Sequence, residues 1–137
     1  MPLLQKSAKF AARRMPDVIH PTLHAVLDYT VAGSFFLKGA LLWKRQRRAA
    51  AGAFICGSAM LANALVTDYP GGVFRKISYR THGRNDAAIA GLTASAPRLL
   101  GFHGQDEATF FTVEAVVETV VTELTDFDYY ENKALAA

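Results

Sequence analysis

Four long stretches of the chain are rich in apolar residues, and short polar or glycine-containing segments separate them. The second stretch, residues 49–67, has 19 uncharged residues in a row, which is long enough to cross a bilayer as a helix. The first stretch begins near Pro21, a residue that suits the first turn of a helix. The segments KRQRR and PGG follow these two stretches and are typical of turns.

The fourth stretch contains TVEAVVETVVTEL, whose valines and threonines would also permit a strand. Two of its glutamates, Glu114 and Glu118, lie four residues apart and the stretch is longer than a usual strand, so the pattern favours a helix. We therefore expect an all-α fold, a four-helix bundle that crosses a membrane. The expected helices cover about 21–43, 49–68, 79–100 and 106–126.

The sequence also aligns with itself at an offset of 58 residues, without gaps. Over 19–69 against 77–127, ten pairs are identical, which indicates an internal duplication. A His/Asp pair opens each unit, and Thr-Asp followed by an aromatic residue closes it. The chain then divides into a basic amphipathic arm (1–17), a helical hairpin (18–69), a linker turn (70–76), a second hairpin (77–128) and a tail (129–137).

The distribution of charge along the chain predicts that its N-terminal segment contacts a membrane surface. The formal net charge is only +3, but four basic residues precede the first acidic one, Asp17. Three of them, Lys6, Lys9 and Arg13, lie on another face from the apolar residues of MPLLQKSAKFAARRMP, which predicts an amphipathic helix at a membrane surface. The basic clusters lack interleaved aromatic residues, so no nucleic-acid partner is expected. The expected partners are the lipid bilayer and either further copies of the chain or a larger membrane complex, in a bacterial inner membrane with the N-terminus in the cytoplasm.

One short motif resembles a known family. SAPRLLGF, residues 95–102, looks like the Ser-Pro-Trp motif of small bacterial membrane proteins, the SPW-repeat family. Here Ala96 stands between the serine and the proline, and Arg98 takes the place of the tryptophan. The resemblance implies a membrane protein built from tandem two-helix units. It implies no catalytic residue, because that family has no established biochemical function.

The candidate chemistry lies in the His/Asp pairs. His20, His24 and Asp28 follow each other at four-residue intervals and so share one face of the first helix. His82 and Asp86 repeat the spacing in the third helix. If a pseudo-twofold axis relates the two units, these faces meet. His24 should then reach Asp86, and His82 should reach Asp28.

Three interpretations of this polar face remain open. The pairs can form a structural hydrogen-bond network that holds the hairpins in register. They can instead bind zinc, manganese or iron, since imidazole and carboxylate ligands one turn apart build the metal sites of helical bundles. Haem between His24 and His82 is the third interpretation. The candidate metal ligands are His24, Asp28, His82, Asp86, Glu114 and Glu118, with His20 as an additional one.

No signature of an enzyme accompanies these residues. PGG at 70–72 lacks the Lys-Ser/Thr that follows the glycines of a phosphate-binding loop, and no serine lies in a nucleophile elbow. The sequence therefore predicts a structural or accessory membrane protein with a buried His/Asp network, without demonstrable catalysis. The alternative is a metal-binding helical bundle, with a di-metal or haem centre and a role in redox chemistry or transport.

Overall fold

The computed structural model describes residues 17–137, so the predicted amphipathic arm lies outside the described residues except for Asp17. The described part is all helical, and no strand forms in it. The all-α prediction is therefore confirmed, including the helical reading of TVEAVVETVVTEL. The helices are α1 (Pro21–Leu42), α2 (Arg47–Val66), α3 (Tyr79–Leu99), α4 (Glu107–Glu123) and α5 (Tyr129–Leu135).

The helix ends differ from the expected ones where backbone groups pair outside the helix. Helix α2 ends at Val66 because Thr67 is extended and forms an isolated parallel bridge with Ile77. Helix α4 ends at Glu123, three residues before the expected end, and Thr125 bridges to Ile19 in the same way. The short helix α5 lies in the segment that the sequence assigned to a tail.

The residues of the two bridges correspond at the 58-residue offset, Ile19 to Ile77 and Thr67 to Thr125. The bridges fix which helix ends lie side by side. The Ile19 amide donates to the Leu124 carbonyl at 3.0 Å. The Ile77 amide donates to the Val66 carbonyl at the same distance. The start of α1 therefore lies beside the end of α4, and the start of α3 lies beside the end of α2.

The helices pack as two hairpins joined along α2 and α3. Helix α1 packs on α2, α3 packs on α4, and α2 also contacts α3. The main core surrounds the fully buried Phe35 and Phe111, together with alanines of α2 that allow close helix approach. A second, smaller core lies at the other end of the helices around Tyr69 and Tyr79. The polar residues described below adjoin this second core.

Two helices, α1 and α2, are long and apolar enough to cross a membrane. No other helix within residues 17–137 meets that criterion of length and composition. Several large apolar side chains are also exposed. On the longer helices they include Leu23, Val26, Leu37, Leu41, Ile55, Val113, Val116 and Val120.

The segment between α2 and α3 makes one tight backbone approach. The Gly72 amide donates to the Tyr69 carbonyl at 3.0 Å, and a Cβ atom on Gly72 would lie 1.6 Å from the carbonyl oxygen of Thr67. A side chain at this position cannot be accommodated unless the backbone moves. Glycine at position 72 therefore allows the turn that carries Thr67 and Tyr69.

We expect Gly72→Ala to lower the free energy of unfolding by about 1–3 kcal/mol, because the turn must open to relieve the clash. Thermal or denaturant unfolding of the purified variant measures this. Gly91→Ala is the matched control, since a Cβ there meets nothing within 4 Å and alanine favours the helix by about 0.5–1 kcal/mol. Equal stabilities of the two variants would contradict the assigned turn.

Candidate metal centre

Four side chains converge in the interior where α1 and α3 face each other. Helix α1 supplies His24 and Asp28, and α3 supplies His82 and Asp86, with all four buried. One ligand atom from each lies within 4.8 Å of the others. His24 Nε2 is 3.1 Å from Asp86 Oδ2, and His82 Nε2 is 3.2 Å from Asp28 Oδ2. The predicted contacts between the two His/Asp pairs are thus confirmed.

The remaining distances outline a compact polyhedron of two nitrogen and two carboxylate ligands. The two Nε2 atoms are 3.0 Å apart. Asp86 Oδ2 lies 3.0 Å from His82 Nε2, and Asp28 Oδ1 lies 3.3 Å from His24 Nε2. Ligands about 2.0 Å from a tetrahedral zinc ion are separated by about 3.3 Å. The His–His and His–Asp distances are close to that spacing, and Asp28 approaches the two histidines through different oxygens.

Two threonine hydroxyls determine which nitrogen of each histidine carries a proton. Thr67 Oγ1 donates its hydrogen to the Asn63 carbonyl at 2.6 Å, and it lies 2.8 Å from His82 Nδ1. Because the hydroxyl hydrogen is already used, the oxygen accepts and His82 Nδ1 donates. A neutral His82 ring then has its unprotonated Nε2 directed at the cluster.

The same arrangement recurs at the other histidine. Thr125 Oγ1 donates to the Val121 carbonyl at 2.6 Å and accepts from His24 Nδ1 at 2.9 Å. The two histidines therefore direct bare Nε2 lone pairs at each other when both rings are neutral. Such partners behind the ligating histidines are usual in metal sites, where they fix the tautomer and the ring orientation.

The carboxylates also have fixed partners outside the cluster. The Tyr69 hydroxyl donates to Asp28 Oδ2 at 2.7 Å, and the Asn63 amide donates to Asp86 Oδ1 at 2.8 Å. Burial and the neighbouring Asp28 carboxylate raise the pKa of the Tyr69 hydroxyl far above its ordinary value, so this group remains a donor. Each carboxylate is held in one orientation as a result.

Aromatic rings enclose the histidines on the side of the smaller core. The Tyr79 and Phe127 rings lie edge-on to His24 at centroid distances of 5.7 and 5.2 Å, and the Tyr69 ring lies 5.0 Å from His82. These rings separate the cluster from solvent. Interactions between charges inside it are consequently stronger than they would be in water.

The other predicted ligands lie outside this group of four. His20 is an exposed cap of α1 whose Nδ1 accepts from the Thr22 amide at 3.3 Å. Glu114 Oε1 accepts from the Ser34 hydroxyl at 2.8 Å, part-way to the surface. Glu118 is buried, and its Oε1 accepts from the Thr93 hydroxyl at 3.2 Å. Only Glu118 shares a cavity with members of the cluster.

The space around the cluster is too small for a haem group. The cavity beside His24, Asp28 and Asp86 measures about 10 Å³, which accommodates about one water molecule and no porphyrin. Axial ligands of a haem lie on opposite sides of the ring plane, whereas here the two Nε2 atoms are 3.0 Å apart with carboxylates beside them. The residues fit a single ion.

Sequence reasoning identified the four central residues and missed the groups that orient them. Thr67 and Thr125 were visible as identical pairs at the 58-residue offset, but nothing in the sequence assigned them to the histidines. Asn63 had no such signal, and Tyr69 was visible only as the aromatic residue that closes the first unit. No known protein family, curated protein or solved structure matches the chain. The geometry of this site is therefore the basis for a function.

We expect Thr67→Val to weaken metal binding by about 10- to 100-fold, since the isosteric valine leaves the His82 Nδ1 hydrogen without an acceptor. Titration calorimetry of the metal-free protein with Zn²⁺ measures the change. Thr119→Val is the control, because Thr119 makes the same hydrogen bond to the carbonyl four residues earlier but contacts no histidine. A loss of affinity in both variants would remove the assigned role.

Proposed function

We propose that the protein binds one divalent metal ion through His24, Asp28, His82 and Asp86. The observation that carries this proposal is the pair of threonine contacts to Nδ1, which leaves two Nε2 lone pairs converging at 3.0 Å. Two lone pairs at that distance repel each other unless a metal ion or a proton lies between them. Two carboxylate oxygens complete the set of donors that such a cation needs.

Charge balance supports the same conclusion. Two carboxylates and two neutral imidazoles have a net charge of −2, and burial of such a charge is costly. No Lys or Arg of residues 17–137 is within ion-pair distance of Asp28 or Asp86. A divalent ion cancels this charge completely, whereas a proton on one histidine cancels only half of it. Zinc, manganese and iron all accept such nitrogen and oxygen ligands, and we propose zinc because four protein ligands match its usual coordination number.

The ion would join the two halves of the fold. Each half contributes one histidine and one aspartate, so binding ties α1 to α3. This gives the site a structural role in an accessory protein, and redox chemistry would require iron or manganese in place of zinc. A metal-free hydrogen-bond network, in which protons take the place of the ion, is the competing function.

We further propose that this centre lies inside a four-helix bundle of two duplicated hairpins in a bacterial inner membrane, with the N-terminus in the cytoplasm. The lengths of α1 and α2, the exposed apolar side chains and the interior position of the polar cluster support it. The matching bridges at Ile19 and Ile77 support the duplication. The resemblance of residues 95–102 to the SPW-repeat motif agrees with this assignment.

For the metal, elemental analysis of the purified protein should give about one divalent ion per chain. After removal with a chelator, added Zn²⁺ should raise the melting temperature, since a ligand at about 100 times its dissociation constant stabilises by about 2.7 kcal/mol. His82→Ala should abolish both effects. His103→Ala is the control, because His103 is an exposed histidine in the turn between α3 and α4.

A protein that contains no metal, and whose melting does not respond to Zn²⁺, Mn²⁺ or Fe²⁺, would contradict the proposal. Destabilisation by His82→Ala without any response to metal would establish the hydrogen-bond network in its place.

For the membrane, the protein should remain with the membrane fraction after a carbonate wash and require detergent for extraction. The physical reason is the transfer of the apolar faces of α1 and α2 out of water. Fractionation followed by immunodetection measures it, with a detergent-treated aliquot as the positive control. Complete recovery as a soluble, monodisperse species without detergent would contradict the assignment.

A further inference from the structure

Glu118 is a buried carboxylate with half of its hydrogen-bonding capacity unused. It is 4% exposed, and its Oε1 accepts only from the Thr93 hydroxyl. No donor among residues 17–137 reaches its Oε2, which is itself shielded from solvent. Buried polar atoms are nearly always paired with protein or with ordered water, because an unpaired one costs about 1–3 kcal/mol.

The cavity beside Glu118 leads directly to the proposed metal ligands. It measures about 10 Å³, and Glu118, His24, Asp28 and Asp86 line it. His82 is absent from its walls, so the cavity lies on one face of the ligand set. The other lining residues are mainly apolar, namely Leu27, Val31, Met60 and Val121, with Thr122 as the exception. Its volume is that of about one water molecule.

We propose that this cavity holds a water molecule bound to the metal ion as its fifth ligand, which donates a hydrogen bond to Glu118 Oε2. This inference rests on the proposed metal site. The water oxygen approaches the ion through the face formed by His24, Asp28 and Asp86. Expansion of zinc from four to five ligands is ordinary chemistry for that ion.

Glu118 is then a positioning residue and not a ligand. By accepting a hydrogen bond from the water, it holds the water at one coordination position of the ion. The other four positions are occupied by protein side chains. A metal-bound water is far more acidic than bulk water, and Glu118 lines the cavity that would hold it. Purely structural zinc sites have no such position, so the water would make this centre chemically competent.

Pulsed EPR of the full-length protein loaded with Cu²⁺ tests both the metal site and the water. Modulation from the remote Nδ1 nitrogens reports histidine ligation. Exchange into D₂O should add deuterium modulation from a bound water in the wild type. Glu118→Leu should retain the nitrogen signal and lose most of the deuterium signal, because leucine fills the cavity and removes the acceptor. Glu118→Gln retains an acceptor oxygen and should restore it.

The control is Glu123→Leu, the same substitution at an exposed position of α4, which should match the wild type. Absence of nitrogen modulation in the wild type would overturn the metal site and the water together. Nitrogen modulation with no strongly coupled deuterium in the wild type would overturn the water alone, whether or not the variants fold. A drop in Cu²⁺ affinity well beyond about 100-fold in both Glu118 variants would make Glu118 a direct ligand and also overturn it.

Discussion

The contact between the His24 and His82 rings is the constraint on which the rest of the structure depends. Their Nε2 atoms approach to 3.0 Å only because each ring is anchored from behind by a threonine hydroxyl. Those threonines follow the ends of α2 and α4, where the backbone bridges to Ile77 and Ile19. The ends of α2 and α4 therefore position the threonines, and the threonines orient the histidine rings that meet between α1 and α3.

Because the four side chains are buried, their hydrogen-bonding groups need partners within the protein. A carboxylate or imidazole in a closed interior needs a defined partner for each donor and acceptor, because water cannot supply one. The cluster meets that demand with Tyr69 and Asn63 on the aspartates and threonines on the histidines. When both rings are neutral, the two Nε2 lone pairs are the exception, and a metal ion or a proton between them would complete the cluster.

The sequence predicted those parts of the site that depend on residues close together in the chain or on the repeat, and it did not predict those that depend on the path of a turn. Spacing of four residues on one helix is local, so the His24/Asp28 and His82/Asp86 faces could be read directly. Their meeting followed from the offset of 58 residues. The partners Tyr69 and Asn63 could not be predicted, since a contact such as Tyr69 to Asp28 depends on the path of the turn after α2. Glu114 shares the face of Glu118 by spacing, yet hydrogen bonds to Ser34 of α1 and not to the cluster.

The two halves of the chain agree in the proposed ligands and in the threonines behind them, and they differ in the other residues around the cluster. His24 and His82, Asp28 and Asp86, and Thr67 and Thr125 are identical pairs at the 58-residue offset. Glu118 has Met60 as its counterpart at that offset, and both line the small cavity beside the cluster. A strictly repeated sequence would place either two acidic or two apolar groups there, and two buried carboxylates would repel each other beside ligands that are already anionic. One glutamate and one methionine at these positions leave a single acceptor, and a single acceptor would give the proposed water one defined orientation.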